Sequence, residues 1–154
     1  MNAAAANLVG ITGIARRLVQ DGVLSETDAR LALDESTKEK KSIQKYLIDK
    51  KLITSSHLAT AFAMEFGLPL FDLSSMDLSL SAAQLITEEL ASKQVVLPLL
   101  KRGGKLFVAT ADPANNTALD AVKFAANSLV EPVVVAEDAL RKAIELAYNA
   151  PTER

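Results

Sequence analysis

Residues 18–25, with the sequence LVQDGVLS, are echoed 29 residues later by LIDKKLIT at residues 47–54. Each copy consists of two apolar residues, a polar triplet, two more apolar residues and a hydroxyl side chain. Further helical runs follow, over residues 26–34 in the first copy and 55–65 in the second. A repeat of this length is one helix-turn-helix unit, which cannot bury its apolar face alone and so needs its twin. The repeat therefore predicts two paired helical units, an arrangement more typical of a recognition surface than of a catalytic site.

Composition limits the classes of protein to which the chain can belong. Its 154 residues suffice for one ordinary domain or two small subdomains, and a hydrophobic content of 49% rules out a disordered chain. The net charge of −2 does not favour attraction to nucleic acid or to an anionic membrane surface, so no nucleic-acid partner is expected. With no cysteine, a disulfide framework and a thiolate metal site are both impossible, which fits a cytosolic protein. No apolar run approaches the roughly 20 residues that span a bilayer, and the start lacks the basic region of a secretory signal, so no direct membrane insertion is expected.

The first half of the chain is predicted to be helical. Apolar residues recur at helical spacing over residues 11–19, and Gly22 is suited to end that helix. Ser25 is predicted to cap the second helix, and Thr54 or Ser55 the fourth. The fourth helix is expected to turn four apolar side chains inward: Leu58, Ala61, Phe62 and Met64.

The second half is predicted to combine strands and helices. In chain order, the pattern first predicts an amphipathic helix at 82–94, then strands at 95–100 and 105–110 joined by a tight turn at 102–104. A helix follows, with Asp112 as N-cap and Pro113 at its first position. A strand at 130–135 and a helix at 137–148 complete the prediction. The whole chain is therefore predicted to be an α+β protein, with a four-helix tandem-repeat subdomain followed by a small β-sheet subdomain covered by helices. The expected divisions are a flexible N-terminus at 1–10, the helical subdomain at 11–67, a linker at 68–80, the α/β subdomain at 81–149 and a tail at 150–154.

No catalytic constellation is recognisable in the sequence. A P-loop requires a first glycine and a Ser or Thr hydroxyl, but Leu99 and Leu106 stand at those positions around the Gly104-Lys105 pair, which favours a hairpin turn instead. His57 is the one histidine of the chain, so it has no second imidazole with which to bind a metal, and a helix-cap role is the simpler interpretation. The chain is therefore not expected to be an enzyme by itself, and no catalytic, cofactor-binding or metal-binding residue is predicted in it.

Several segments taken together resemble one known family. The segments are the repeat already described, FGLPLFDL at residues 66–73, and VLPL at 96–99 followed by GKLFVATADP at 104–113. They are similar to the N-terminal domain of the type II secretion and type IV pilus extension ATPases, also called the MshEN or GspE N-terminal domain. The resemblance covers about residues 11–148, and the opening ITGIARRLV at 11–19 leans toward the pilus branch of the family.

The resemblance implies a regulatory part of a larger motor. In this family the full protein is a hexamer whose C-terminal ATPase domain uses ATP and Mg²⁺ to power the addition of pilin subunits. It acts in the cytoplasm, at the inner-membrane face of the pilus machine. The tail at 150–154 would then lead toward that ATPase domain, and ATP and Mg²⁺ would belong to that domain alone.

The resemblance also raises the question of a small-molecule ligand. Some members of the family bind cyclic di-GMP through a tandem motif that relies on arginine, glycine and glutamine. Gly13, Ala15 and Ser36 stand where the first copy of that motif has these three residues, and Gln44 and Lys51 stand at glycine positions of the second copy. Each lost contact of this charge-assisted kind is worth about 1.5–3 kcal/mol, so these departures disfavour direct binding of the dinucleotide.

The preferred interpretation is a docking domain for a protein regulator. A PilZ-type adaptor, alone or with an EAL-type cyclic di-GMP receptor bound to it, is the first candidate implied by the family, and a PilM-type platform protein is the second. Two alternatives remain open at this stage, a direct cyclic di-GMP receptor and a structural spacer for hexamer assembly. Large apolar residues that the repeat does not need are predicted to bind the partner, unless those at the subdomain junction simply pack as core. These residues are Leu8, Val9, Ile11, Phe71, Leu73, Met76, Leu78 and Leu80.

Overall fold

The computed structural model describes residues 10, 11 and 13–149. The helices of its first half are α1 (Gly13–Gln20), α2 (Glu26–Lys38), α3 (Ile43–Asp49) and α4 (Ser55–Phe66). Its second half contains α5 (Glu88–Gln94), β1 (Val96–Arg102), β2 (Lys105–Thr110), α6 (Asn116–Ala126), β3 (Leu129–Val134) and α7 (Glu137–Asn149). Three single 3₁₀ turns connect the halves between residues 73 and 85. The predicted α+β class is confirmed.

The two copies of the repeat fold in the same way. After α1 the amide of Val23 donates to the carbonyl of Leu18 at 3.0 Å, and after α3 the amide of Leu52 donates to the carbonyl of Leu47 at 2.9 Å. Both bonds close the end of a helix across one residue in the left-handed conformation, which is the Schellman arrangement. Leu18 and Leu47 are fully buried. The echo in the sequence is therefore a repeat in the structure.

Side-chain caps begin the second helix of each unit. Ser25 Oγ accepts the amide of Asp28 at 3.0 Å, and Thr54 Oγ1 accepts the amide of His57 at 3.0 Å. His57 Nδ1 accepts the amide of Thr54 at 3.2 Å, which completes a capping box with histidine in place of the usual Glu or Gln. The helix-cap interpretation of His57 is confirmed.

The sheet has the strand order β1-β2-β3. Strands β1 and β2 are antiparallel, and Gly103 and Gly104 form their turn with φ angles of 60° and 81°. Strand β3 is parallel to β2 and is reached through α6. The predicted hairpin turn is therefore confirmed, and Lys105 begins a strand that follows it.

The prediction that Asp112 begins a helix is wrong. Asp112 Oδ1 accepts the amide of Ala114 at 3.0 Å, so this side chain closes a local turn. Helix α6 starts only at Asn116, with the side chain of Asn115 accepting the amide of Ala118 at 3.1 Å. Asp112 and Asn115 are both possible helix caps, and it is Asn115 that caps α6. The second carboxylate oxygen of Asp112 is therefore free to accept a hydrogen bond from elsewhere in the chain.

Two further helix predictions need correction. Met64 is 60% exposed, whereas Phe62 is buried, because two residues along a helix turn the side chain by about 200°. The helix expected over residues 82–94 is split into a 3₁₀ turn, Ala83–Leu85, and α5. Thr87 separates them by capping α5, its Oγ1 accepting the amide of Leu90 at 3.1 Å.

The two halves have separate apolar cores that meet at Val134. One core lies among α1–α4 and the other between the sheet and α5–α7. Val134, the last residue of β3, is fully buried and packs with the helical core. Its carbonyl accepts the amide of Phe71 at 2.8 Å and its amide donates to the carbonyl of Pro69 at 2.9 Å. The segment at 68–80 is therefore hydrogen-bonded to the free edge of the sheet at its start. In the described part of the chain, no helix has the length and apolar character to cross a bilayer.

Candidate docking surfaces and the groove between the helix pairs

A groove of about 420 Å³ lies where the two helix pairs meet the start of the segment after β2. Its apolar walls come from α1, α2, α3 and α4, and its polar groups lie at the rim. The apolar lining residues are Ile14, Leu33, Ile43, Phe62 and Phe66, and the polar ones are Gln44, Glu65 and Asp112. The rings of Phe62 and Phe66 are tilted against each other with centroids 6.0 Å apart, a favourable aromatic geometry.

Two carboxylates lie at this groove, and one of them, Glu65, is ion-paired with Arg17. Gln44 Nε2 donates to Asp112 Oδ2 at 3.1 Å, so an amide of the second repeat holds a carboxylate of the other half. Glu65 Oε1 accepts Arg17 Nε at 3.1 Å, and this bond, with help from Asp21, raises the pKa of Arg17 above its usual value. No ion pair joins Asp112 to a cation within the described residues. Arg17 offsets the charge of Glu65, so Asp112 is the surplus carboxylate of the lining, and the lining offers an anion no unpaired cation.

This chain has different residues at the positions that correspond to the ligand-binding motif of the family it resembles. Ala15 is fully buried and Ser36 is 4% exposed, so neither presents a contact to the groove. Gln44 has its amide committed to Asp112. Lys51 occupies a left-handed turn position with φ of 61° and is exposed. Gly13 does line the groove, but it carries no side chain.

The predicted partner-binding residues fall into distinct environments. Leu8 and Val9 lie outside the described residues. Ile11 is fully buried and Leu73 is 5% exposed, so both are core side chains in this structure. Phe71, Met76 and Leu78 are half-buried against the core of the sheet subdomain. Leu80 is 77% exposed and is the one clear surface residue of the set within the described part of the chain.

Two matching turns shape the segment that carries Leu80. Asp72 Oδ1 accepts both the amide and the hydroxyl of Ser74, at 3.0 and 2.7 Å. Asp77 Oδ1 accepts the same two groups of Ser79 at 3.0 and 2.7 Å. In each case the hydroxyl bond, followed by the amide bond, holds the pKa of the carboxyl below its usual range. The backbone that presents Leu80 is therefore ordered by local hydrogen bonds.

Sequence reasoning missed one exposed aromatic side chain. Phe124 on α6 is 91% exposed, and Leu129 at the start of β3 is 58% exposed beside it. The signal was present, because Phe124 stands outside the helical stripe formed by Leu119, Val122 and Ala126. A large aromatic residue on the polar side of an amphipathic helix is the pattern that could have identified it.

Comparison with known proteins identifies the family. The MshEN domain model matches residues 66–154. A solved structure of MshE with cdg has a TM-score of 0.75 and 25% identity, over 89% of this chain and 99% of that one. The N-terminal domain of XpsE has a TM-score of 0.73 at 21% identity, over 96% of this chain and 97% of that one, which shows a shared fold.

Full-length relatives indicate the branch of the family. The type IV pilus assembly ATPase PilB of Acinetobacter baylyi is 36% identical over 148 residues, and PilB of Pseudomonas aeruginosa is 34% identical over 145 residues. These alignments include 92% and 94% of this chain, but the chain spans only 26% of either relative. Since the domain model covers more than half of the sequence and the structural likeness extends over nearly all of it, this chain belongs to the MshEN domain family, with the PilB pilus assembly ATPases among its relatives.

Proposed function

We propose that this chain is the regulatory docking domain of a hexameric ATPase that powers type IV pilus extension, and that it binds a protein regulator. A PilZ-type adaptor, with or without a cyclic di-GMP receptor attached, is the preferred partner, and a PilM-type platform protein is the second. The domain acts on the cytoplasmic side of the inner membrane, while ATP and Mg²⁺ serve the ATPase domain. The single observation that carries this proposal is the exposure of Leu80, which is 77% on a segment ordered by its own turns.

An apolar side chain held on ordered backbone is suited to protein recognition. Burying it releases hydration free energy, and little conformational entropy of the backbone is lost because the turns already fix it. Leu70, at the other end of the same segment, is 52% exposed, so the segment presents a second apolar side chain to solvent. Leu8 and Val9 remain predicted members of the partner-binding set.

Titration of the chain with a purified PilZ-type adaptor tests the proposal. Leu80→Ser should weaken binding by at least about tenfold, the effect of losing an apolar hot spot. Leu8→Ser with Val9→Ser tests the N-terminal part of the predicted surface in the same assay. Leu31→Ser is the matched control, since Leu31 is 51% exposed on α2 and lies outside the predicted surface. Equal binding by wild type and Leu80→Ser, or no binding of the adaptor by wild type, would contradict the proposal.

Direct binding of cyclic di-GMP is the second candidate function. The likeness to MshE with cdg favours it, because that protein shares this fold over nearly its whole chain. The groove opposes it, since its lining offers the two phosphates of the dinucleotide no unpaired cation and presents the carboxylate of Asp112. We therefore expect no saturable binding of labelled cyclic di-GMP at micromolar concentration, with the MshE domain as positive control. Saturable micromolar binding would establish the receptor function instead.

The structural-spacer alternative makes a different prediction. A spacer would retain only the parent ATPase when the chain is used to capture proteins from the native cytosol. The docking proposal requires that a PilZ-type or PilM-type protein be identified in the captured fraction by mass spectrometry, and lost from the Leu80→Ser capture. A wild-type capture that contains only the parent ATPase favours the spacer.

A further inference from the structure

Phe124 projects from α6 into solvent, at a surface that the proposed function does not use. Its side chain is 91% exposed, the largest fraction for a large apolar side chain in the part of the chain that the structure describes. It borders an open hollow of about 770 Å³ that also includes Leu129, 58% exposed, and Gly104 of the hairpin turn. An aromatic residue costs solvation free energy when it faces water, so a surface that presents one in a hollow is suited to association.

The surroundings of Phe124 carry an excess of positive charge. Lys123 precedes it, and the exposed residues Lys101 and Arg102 end β1, where Arg102 pairs with Lys105, the strand neighbour of Leu129. Lys105 is paired with Glu131 at 3.6 Å, so these two charges offset each other. The lining of the hollow itself contains one carboxylate, Asp120, and one cation, Lys123, so the excess comes from Lys101 and Arg102. We name this surface, Phe124 and Leu129 with Lys101, Arg102 and Lys123, the basic end.

The groove between the helix pairs is the complement of this surface. Its walls are apolar, its volume of about 420 Å³ admits a phenylalanine side chain, and its two carboxylates are Asp112, which has no ion pair among the described residues, and Glu65, which is paired with Arg17 at 3.1 Å. We name this groove the acidic end.

One neighbouring carboxylate adds to the negative character of the acidic end. An adjoining hollow that shares Gln44 and Asp112 adds three carboxylates, those of Asp49, Glu137 and Asp138, against two cations. These cations offset two of the carboxylates, Lys45 with Asp49 at 3.7 Å and Arg141 with Glu137 at 2.8 Å, so Asp138 is the surplus charge.

The two ends lie at opposite ends of the parallel strands β2 and β3. Strands β2 and β3 run parallel, from the pair Lys105 and Leu129 to the pair Thr110 and Val134. The basic end is built where these strands begin, and Asp112 follows directly where β2 ends. Because β2 is six residues long, its start at the basic end and its finish near Asp112 lie about 17–20 Å apart. The domain is therefore charged oppositely at its two ends, with an apolar projection at one and an apolar recess at the other.

We propose that copies of this chain associate head to tail, with Phe124 of one copy in the acidic end of the next. Lys123 would then face the carboxylate of Asp112, and the ring of Phe124 would pack between Leu33 and Phe66. Because the contact joins two different surfaces, it repeats from copy to copy and closes into a ring when the rotation permits. A weak contact suffices in a larger assembly, where linked modules have an effective concentration on the order of millimolar.

Sedimentation of the purified chain up to about 1 mM tests the association. The weight-average mass should rise with concentration at low salt, and the rise should diminish at about 0.5 M salt because the complementary charges are screened. A mass that stays at that of one chain over the whole range would overturn the proposal.

Two variants test whether the contact is head to tail. Phe124→Ser removes the projection from an exposed position, and Phe66→Lys places a cation in the recess at the C-terminal end of a helix, where a positive charge is tolerated. Each variant alone should self-associate at least about tenfold more weakly than wild type. An equimolar mixture should restore association but stop at one-to-one dimers, because each partner supplies the surface that the other lacks.

A matched control and the thermal unfolding curves complete the test. Leu146→Ser should associate like wild type, since Leu146 is 50% exposed on α7 but belongs to neither end. Unfolding midpoints separate loss of association from loss of fold. Undiminished association of Phe124→Ser, or a mixture that remains monomeric while both variants are folded, would overturn the assignment. These outcomes are independent of the Leu80→Ser binding assay, so either proposal can fail alone.

Discussion

Gly22 and Lys51 occupy equivalent positions of the repeat and share the left-handed conformation, with φ angles of 77° and 61°. Each residue follows the last turn of a helix and is spanned by a backbone hydrogen bond, from Val23 to Leu18 in one copy and from Leu52 to Leu47 in the other. Glycine adopts this conformation freely, whereas a side chain costs about 1–2 kcal/mol there. The second copy therefore carries strain that the first does not.

Replacing Lys51 by glycine should stabilise the protein. Relief of the left-handed strain should raise the free energy of unfolding by about 0.5–1 kcal/mol, after the greater freedom of glycine in the unfolded chain is discounted. Gly22→Ala should lower it by about 1 kcal/mol through strain alone, since no atom lies within 4 Å of an added Cβ. Urea unfolding measures both changes. Lys50→Gly is the control, because Lys50 has φ of −86°, and a stabilising effect there or a destabilising Lys51→Gly would contradict the argument.

The capping box of α4 predicts a specific rescue at position 57. His57→Ala should lower the free energy of unfolding by about 0.5–1 kcal/mol, because the amide of Thr54 loses its acceptor. His57→Gln should restore most of that loss, since glutamine at this position accepts the same amide. Thermal unfolding of the three proteins at one pH checks this. If alanine and glutamine were equivalent, the hydrogen bond would not contribute.

Gln44 and Asp112 should be energetically coupled across the two halves of the chain. Their side chains are joined by a hydrogen bond of 3.1 Å between residues 68 positions apart. A double-mutant cycle with Gln44→Ala and Asp112→Ala should give a coupling free energy of about 0.5–1.5 kcal/mol. The cycle removes the separate cost of the Asp112–Ala114 turn, which only the second substitution incurs. Strictly additive losses would show that the bond is not maintained in solution.

Tyr148 should make the protein sensitive to alkaline pH. Its hydroxyl donates to the carbonyl of Ala83 at 2.6 Å, and burial, aided by the charge of Glu88, raises the pKa of Tyr148 to about 12 from 10.0. The neutral phenol is therefore favoured in the folded state. The stability that it contributes is complete below pH 10 and is lost as the pH rises toward 12.

The Tyr148→Phe variant isolates that contribution. Near neutral pH it should lower the free energy of unfolding by about 1 kcal/mol, the worth of one hydrogen bond. Between pH 10 and about 12 its stability should fall less steeply than that of wild type, because the titrating group is gone. Urea titrations at several alkaline pH values give the two slopes. Parallel slopes would assign the alkaline loss to other groups.

Local sequence signals predicted much of this fold because they act over a few residues. The 29-residue spacing of the repeat located the two helix pairs. Ser25 and Thr54 are the caps observed, and Gly103 and Gly104 form the hairpin turn. Predictions failed where two local signals compete. Asp112 and Asn115 both offer a cap, and only the packing of α6 onto β3 decides between them.

The candidate surfaces were harder to predict because exposure depends on tertiary packing. Leu73 and Leu80 have the same sequence character, yet one is buried and the other projects into solvent. Ile11, ahead of the repeat, is enclosed by the helical core. Phe124 was recognisable only as an aromatic residue outside its helical stripe, and the groove became visible only when Gln44 and Asp112 were brought together.

Val134 gives the domain a mechanical continuity that its two-part sequence does not suggest. One side of this residue is paired with Thr110 in β2, and the other side is bonded to the backbone at residues 69 and 71. A pulling force that enters the helical half therefore reaches the sheet through main-chain bonds, where side-chain sliding cannot dissipate it. Because these bonds fasten the segment after α4 to the sheet, we expect the two halves to resist such a force together.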